Sequence, residues 1–241
     1  MEIHGTKIEK LIVAGCSFSD YAEVSKNYSD FLSNSLELQN VHGYTSGAGS
    51  NQRIWRKILS GVRNKQIKSD TLVVIQYTDI IRKEFWTKNY KESFCTSKSP
   101  KSSKMREDYK DGGQIIKFKM GSHEWQDFPQ EKHLMSLLEN NFTSLRFDQE
   151  NFKNAHFSLC NTLERYKIPT IFLGTGYIDN ELIRTSRNKY LFNYNLPKSF
   201  PKGESLKYCL TPNDCAHLSH TGHQKVAERI EDFMYLNVAD K

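Results

Sequence analysis

A chain of 241 residues, 37% hydrophobic and 26% charged, is long enough for one α/β domain with its own core and too apolar to stay disordered. Its net charge of +6 is modest and spread along the chain, which fits solvated surface and not a nucleic-acid footprint. It contains no run of 18 apolar residues, so no helix is expected to span a membrane.

Leu11-Ile12-Val13-Ala14 is a short apolar run that stops at Gly15, the pattern of a buried parallel strand ending in a loop. The run is too short, and Lys7, Glu9 and Lys10 too close before it, for Val13-Ala14-Gly15-Cys16 to be the processing site of a lipoprotein signal. Tyr28 to Leu38 carries Phe31, Leu32 and Leu36 at helical spacing. Val41 to Tyr44 reads as a weak strand, Ser46 to Asn51 as a turn, and Ile54 to Val62 as a helix that Ser50 or Asn51 can cap. Thr71 to Ile75 is the clearest buried strand.

Residues 86–129 break the rhythm and read as an insertion in a single domain spanning 1–241, with a β-hairpin expected around Asp111-Gly112-Gly113 and Gln114 to Met120. Leu134 to Tyr166 is a long helical pattern with a break expected near Asp148. Pro169 to Leu173 is another buried strand, Tyr177 to Asn213 is irregular, and Gln224 to Tyr235 is a closing helix. Strands alternating with helices imply a parallel sheet covered on both faces, with the site beyond the carboxyl ends of its strands. Ser17, the Gly47 turn, Thr78 and the segment after Leu173 all follow such ends. Cys16, Cys95, Cys160, Cys209 and Cys215 show no paired or zinc-binding spacing, so reduced thiols and a cytoplasmic chain are expected.

Three segments carry chemistry. In Gly15-Cys16-Ser17-Phe18-Ser19, a serine just past a strand can hold its hydroxyl above the sheet. In Asp214-Cys215-Ala216-His217-Leu218-Ser219, read as a loop, a histidine suits the general base of a serine nucleophile, and an aspartate three residues ahead can fix its tautomer. In Ser46-Gly47-Ala48-Gly49-Ser50-Asn51, a glycine at a helix start can present its N–H to an oxyanion. Each segment also has a plain structural reading: a loop serine, a helix cap beside a surface histidine, and a glycine-rich turn.

Taken together, and in this order, the segments resemble the SGNH hydrolases, the GDSL esterase family. The family's Gly-Asp-Ser-[Leu/Phe]-[Ser/Thr] block stands here as Gly15 to Ser19 with Cys16 in the Asp position, and its Asp-x-x-His-Leu-[Ser/Thr] block stands unchanged as Asp214 to Ser219. The resemblance implies a flavodoxin-like three-layer α/β/α sandwich and ester hydrolysis. Ser17 would be the nucleophile, His217 the base and Asp214 its orienter. The N–H groups of Ser17 and Gly47 would hold the oxyanion, with Gly49 an alternative to Gly47. Where the family has Gly-x-Asn-Asp, this chain has Gln76-Tyr77-Thr78-Asp79, so Thr78 takes the slot of the oxyanion Asn, and Asn51 is a second side chain able to complete the hole.

A variant group of the family with Gly-Cys-Ser-Phe and an aromatic-Thr pair followed by Arg and Glu is closer, matching Tyr77-Thr78, Arg82 and Glu84. His223 falls where the family packs or caps its last helix, and neither it nor His220 is expected to be the base. No metal or organic cofactor is implied. The implied substrate is an acyl ester, O-acetyl on a carbohydrate in the leading reading. A lipase or thioesterase, an acyltransferase, and a non-catalytic binding protein on the same scaffold are the alternatives.

Overall fold

The computed structural model describes residues 1–16, 19, 25–45, 50–78, 80, 84–86, 92–97, 114–119, 145–174, 183, 189–195, 209–211 and 214–238. A short hairpin of β1 (Glu2–Ile3) and β2 (Thr6–Lys7) opens the chain, turning at His4-Gly5, where both φ angles are positive, 51° and 73°. Then come β3 (Lys10–Ala14), α1 (Tyr28–Ser35), β4 (Gln39–Val41), α2 (Asn51–Arg63) and β5 (Thr71–Gln76). Next are β6 (Glu84–Trp86), β7 (Glu92–Ser97), β8 (Gln114–Lys119), α3 (Leu145–Arg165) and β9 (Thr170–Gly174). The chain continues through β10 (Leu191–Asn195), β11 (Cys209–Thr211), β12 (Asp214–Leu218) and α4 (His220–Asn237).

β4, β3, β5, β9 and β10 form one five-stranded sheet in that spatial order, every pair parallel. Numbered along the chain this is 2-1-3-4-5, the flavodoxin-like order. Successive side chains of a strand point to opposite faces, and the apolar runs split accordingly. Leu11, Val13, Leu72, Val74, Ile171 and Leu173 pack with Tyr28 and Leu32 of α1 and Val226, Ile230 and Met234 of α4. Ile12, Ala14, Val73, Ile75 and Phe172 pack on the other face with Ile54 and Ile58 of α2 and Phe152, Leu159 and Leu163 of α3. The expected three-layer α/β/α sandwich is the observed one. Among the described residues no helix is long and apolar enough to cross a membrane.

Several boundaries differ from the sequence reading for identifiable reasons. α1 ends at Ser35 and not at Leu38, because Glu37 takes a left-handed φ of 54°. The Leu38 N–H then returns to the Ser33 carbonyl at 2.8 Å and that of Glu37 to Asn34 at 3.3 Å, a Schellman ending built without glycine. That ending brings the next strand forward to Gln39–Val41. α3 runs unbroken through Asp148, while residues 134–144 lie outside the described residues. α4 begins earlier than expected, at His220, because the Ser219 side chain accepts the Gly222 N–H at 3.1 Å.

The segment read as irregular holds the fifth sheet strand, β10, whose Leu191 and Phe192 pair with Thr170 and Ile171 of β9. Within the expected insertion, β8 pairs antiparallel with β7, with Gln114 opposite Ser97, and β6 completes a separate three-stranded sheet.

The second face contains a buried polar group inside an aromatic cluster. Tyr77 packs on Trp55, Phe152 and Phe172. Its hydroxyl receives the Trp55 indole N–H at 3.3 Å and is hydrogen-bonded to His156 Nδ1 at 2.8 Å. Burial pushes His156 down to about 4, against a smaller opposing effect of a hydrogen bond to the Ile183 backbone, so the ring is neutral at pH 7. Burial likewise pushes the neighbouring Cys160 thiol up to about 12, which leaves it an unreactive thiol.

The unfolded chain protonates this histidine near the ordinary imidazole value of about 6.5, whereas the folded chain resists until about 4. Between those pH values the unfolded state binds more protons, so stability falls as pH falls and levels off below about 4. The expected loss is about 3 kcal/mol at most. A series of urea midpoints from pH 7 to pH 4 should show this fall, and His156→Gln, which can still accept from Tyr77 but does not titrate, should flatten it. Equal pH slopes for the two proteins would contradict the assignment.

Candidate active site

The sheet order reverses between β3 and β5, and in such sheets the crevice beyond the carboxyl ends of those two strands is where ligands bind. The two strands are in register, Ala14 beside Ile75. Past their ends lie Gly15 and Cys16 on one side and Tyr77 and Thr78 on the other, with Thr45 bridged to Gly15. A Cβ on Gly15 would lie 2.6 Å from Ser19 Oγ and 2.9 Å from Gln76 Oε1, closer than atoms can approach. Glycine is therefore required here for space.

The contact that excludes a side chain at Gly15 is part of a buried polar network. Gln76 continues the inward row of Leu72 and Val74, yet it is polar and 0% exposed. Its Oε1 accepts from Ser19 Oγ at 3.1 Å, Cys16 N at 3.4 Å and Cys16 Sγ at 3.3 Å, and its Nε2 donates to the Tyr77 carbonyl at 2.6 Å. Ser19 Oγ lies 2.8 Å from the Tyr28 hydroxyl. The Ser19 hydrogen is committed to Gln76, so Tyr28 is the donor in that pair. Burial raises the Tyr28 pKa far above the usual phenol value, which keeps that proton in place.

Ser19 is held at its backbone as well. Its N–H donates to the Cys16 carbonyl at 2.9 Å and its carbonyl accepts Asn27 Nδ2 at 2.9 Å. Asn27 is also the N-cap of α1, in a capping box with Asp30.

Asn51 and Thr78 form a second paired unit. Asn51 Oδ1 accepts the Thr78 N–H at 2.9 Å and Asn51 Nδ2 donates to the Thr78 carbonyl at 2.8 Å, with both residues buried. The helix start that presents Asn51 is fixed by Ser50, whose side chain accepts the Arg53 N–H at 3.3 Å. Ser50, not Asn51, is the cap.

The third segment, Asp214 to Leu218, is the strand β12 and not a loop, paired antiparallel with β11 so that Thr211 faces Asp214 and Cys209 faces Leu218. The pairing satisfies backbone groups that a free loop would leave to water. Leu218 is buried in the cluster that contains Val13 and Tyr28. One turn into α4, His223 is buried, and its Nδ1 accepts the Tyr28 N–H at 3.3 Å. It therefore packs against α1, as its sequence position suggests, while Ser219 does the capping. His220 is exposed and lies edge-on to Phe31, ring centres 5.0 Å apart.

Of the residues singled out from sequence, Thr78 and Asn51 are thus brought into direct contact at the crevice. Ser17, Gly47, Gly49 and Arg82 lie outside the described residues, as do the side chains of Glu84, Asp214 and His217. Sequence reasoning missed Gln76, Ser19, Tyr28 and Asn27 as members of the site. The available signal was Gln76 itself, a polar residue closing an otherwise apolar buried strand.

Among solved structures, the chain is similar to a protein assigned to the G-D-S-L family of lipolytic proteins from Desulfitobacterium hafniense DCB-2, with a TM-score of 0.51 and 10% identity over 92% of this chain and 98% of that one. It is similar to a lipase from a goat rumen metagenome, with a TM-score of 0.51 and 10% identity over 93% of this chain and 96% of that one. No protein-family model and no curated protein matches it. The fold is that of the SGNH, or GDSL-like, hydrolases.

Asn51→Ala should leave the buried Thr78 N–H and carbonyl without these partners, at a cost of about 2 to 4 kcal/mol. Urea unfolding reads this directly, and a change below about 0.5 kcal/mol would show that the pair does not fix Thr78.

Proposed function

We propose that this chain is a serine esterase that works at the crevice between β3 and β5. Ser17 attacks the ester carbonyl and passes its proton to His217, which Asp214 orients. The resulting oxyanion is held by the N–H groups of Ser17 and Gly47 and by Thr78, which replaces the asparagine found there in the family. Asn51 serves the hole by gripping the Thr78 backbone at both its N–H and its carbonyl. When the intermediate collapses, His217 returns the proton to the departing alcohol. Water then attacks the acyl-Ser17 ester with His217 again as base, releasing the acid and restoring the serine.

One observation carries this reading. Cys16 and Ser19, which flank the Ser17 position, and Thr78, two residues beyond Gln76, border the same crevice at the strand-order reversal of a fold shared with ester-hydrolysing proteins. Leu218, the neighbour of His217, packs in the cluster of Val13 and Tyr28, which lead into and out of the Ser17 segment. The proposed substrate is an O-acetyl ester of a carbohydrate, a class supported by the family resemblance and by the polar segment at 86–129.

The purified chain should hydrolyse p-nitrophenyl acetate faster than longer acyl esters and release acetate from an acetylated oligosaccharide. Ser17→Ala and His217→Ala should each lower kcat by several powers of ten. The rate should fall as acid protonates the histidine, because the base must be neutral. Wild-type turnover by Ser17→Ala would remove the nucleophile assignment. Preference for long acyl chains would move the substrate from an acetylated sugar to a lipid.

A further inference from the structure

The inward row of β5 is apolar at Leu72 and Val74 and should by packing alone stay apolar at position 76. A buried carboxamide contributes nothing over a methionine or leucine of similar volume unless all its polar atoms are partnered, and at best it then breaks about even. Gln76 meets that condition in a directed way. Its oxygen faces three donors, all from Cys16 and Ser19, and its NH2 faces a carbonyl. The two residues tied to that single oxygen bracket positions 17 and 18. The pairing spans 57 to 60 residues of sequence, so it is a tertiary choice and not a local turn preference. The chain reinforces it twice, by the Tyr28 hydroxyl on Ser19 and by the Gly15 position, where any side chain would wedge into the Ser19–Gln76 bond.

We infer that Gln76 is a positioning residue for the hydrolytic reaction: its buried carboxamide oxygen fixes both ends of the segment that carries Ser17 and so sets where the nucleophile stands. This rests on the reading of Ser17 as nucleophile. Displacing a reacting group by about 1 Å costs on the order of a hundredfold in rate, whereas ester binding does not depend on the Gln76 amide. The signature is therefore a loss in kcat with KM unchanged.

The test uses p-nitrophenyl acetate turnover and the rate of fluorophosphonate labelling, with far-UV circular dichroism and urea midpoints as folding controls. Gln76→Met keeps the volume and removes the acceptor. It should lower kcat and the labelling rate together, by about 10- to 100-fold, with KM within about twofold of wild type. Ser19→Ala should lower kcat by a smaller factor, again at constant KM. In the double variant the losses should not multiply, because both act through one contact.

Wild-type kcat in a folded Gln76→Met protein, a loss no larger than the unfolded fraction, or fully multiplicative losses would overturn the inference. Should Gln76→Met not fold, Ser19→Ala decides alone: reduced kcat at constant KM supports positioning and wild-type kcat overturns it. Ser17→Ala measured alongside separates the two readings. If it stays active, both fall. If it is inactive while Gln76→Met turns over at the wild-type rate, only the role of Gln76 falls.

Discussion

The pairing of β3 with β5, Ala14 beside Ile75, is the constraint on which the crevice depends. It brings Gly15 against Gln76 and leaves no space for a side chain between them. From that close approach the rest follows. The Gln76 amide reaches the backbone of Cys16 and the hydroxyl of Ser19, Ser19 meets Tyr28 at the start of α1, and Tyr28 meets His223 in the first turn of α4. Cys16 and Ser19, the first helix and the helix that follows β12 are joined by one run of buried hydrogen bonds. Such a network is stable only if every member is satisfied, which makes it specific as well as costly to disturb.

The two faces of the sheet divide the work. On the α1 and α4 face, the row of β5 residues turns polar at Gln76 and serves the rim. On the α2 and α3 face, Tyr77 ends the row among Trp55, Phe152 and Phe172, with its hydroxyl spent on a neutral His156. That arrangement keeps the residue before Thr78 fixed from behind, while Asn51 fixes Thr78 itself from the side. Asn51 holds the Thr78 backbone at both its N–H and its carbonyl.

Much of this was legible from the sequence, and the remainder was hidden for physical reasons. β3, β5 and β9 are buried on both faces and show as unbroken apolar runs, so three central strands and the sandwich follow directly. β10 is an edge strand, reading Leu-Phe-Asn-Tyr-Asn with Asn193 exposed, and its alternation was masked by the prolines at 197 and 201. β12 has no strand composition and exists because β11 pairs with it. The early end of α1 rests on Glu37 in a left-handed conformation that no glycine announces. At the site, spacing singled out Thr78 and Asn51 but not their bond, and Gln76 was read only as the first residue of the block that holds Thr78. Contacts made across some sixty residues leave no local pattern to read.

The central claim is that one residue, Ser17, forms the covalent bond with the ester carbonyl. Intact-mass and peptide mass spectrometry after treatment with diisopropyl fluorophosphate tests it most directly. The account predicts a single adduct per chain, on the peptide containing Ser17, with Cys16 in the same peptide unmodified. An adduct on a different serine, on Cys16, or no adduct in a folded protein that hydrolyses p-nitrophenyl acetate would contradict it.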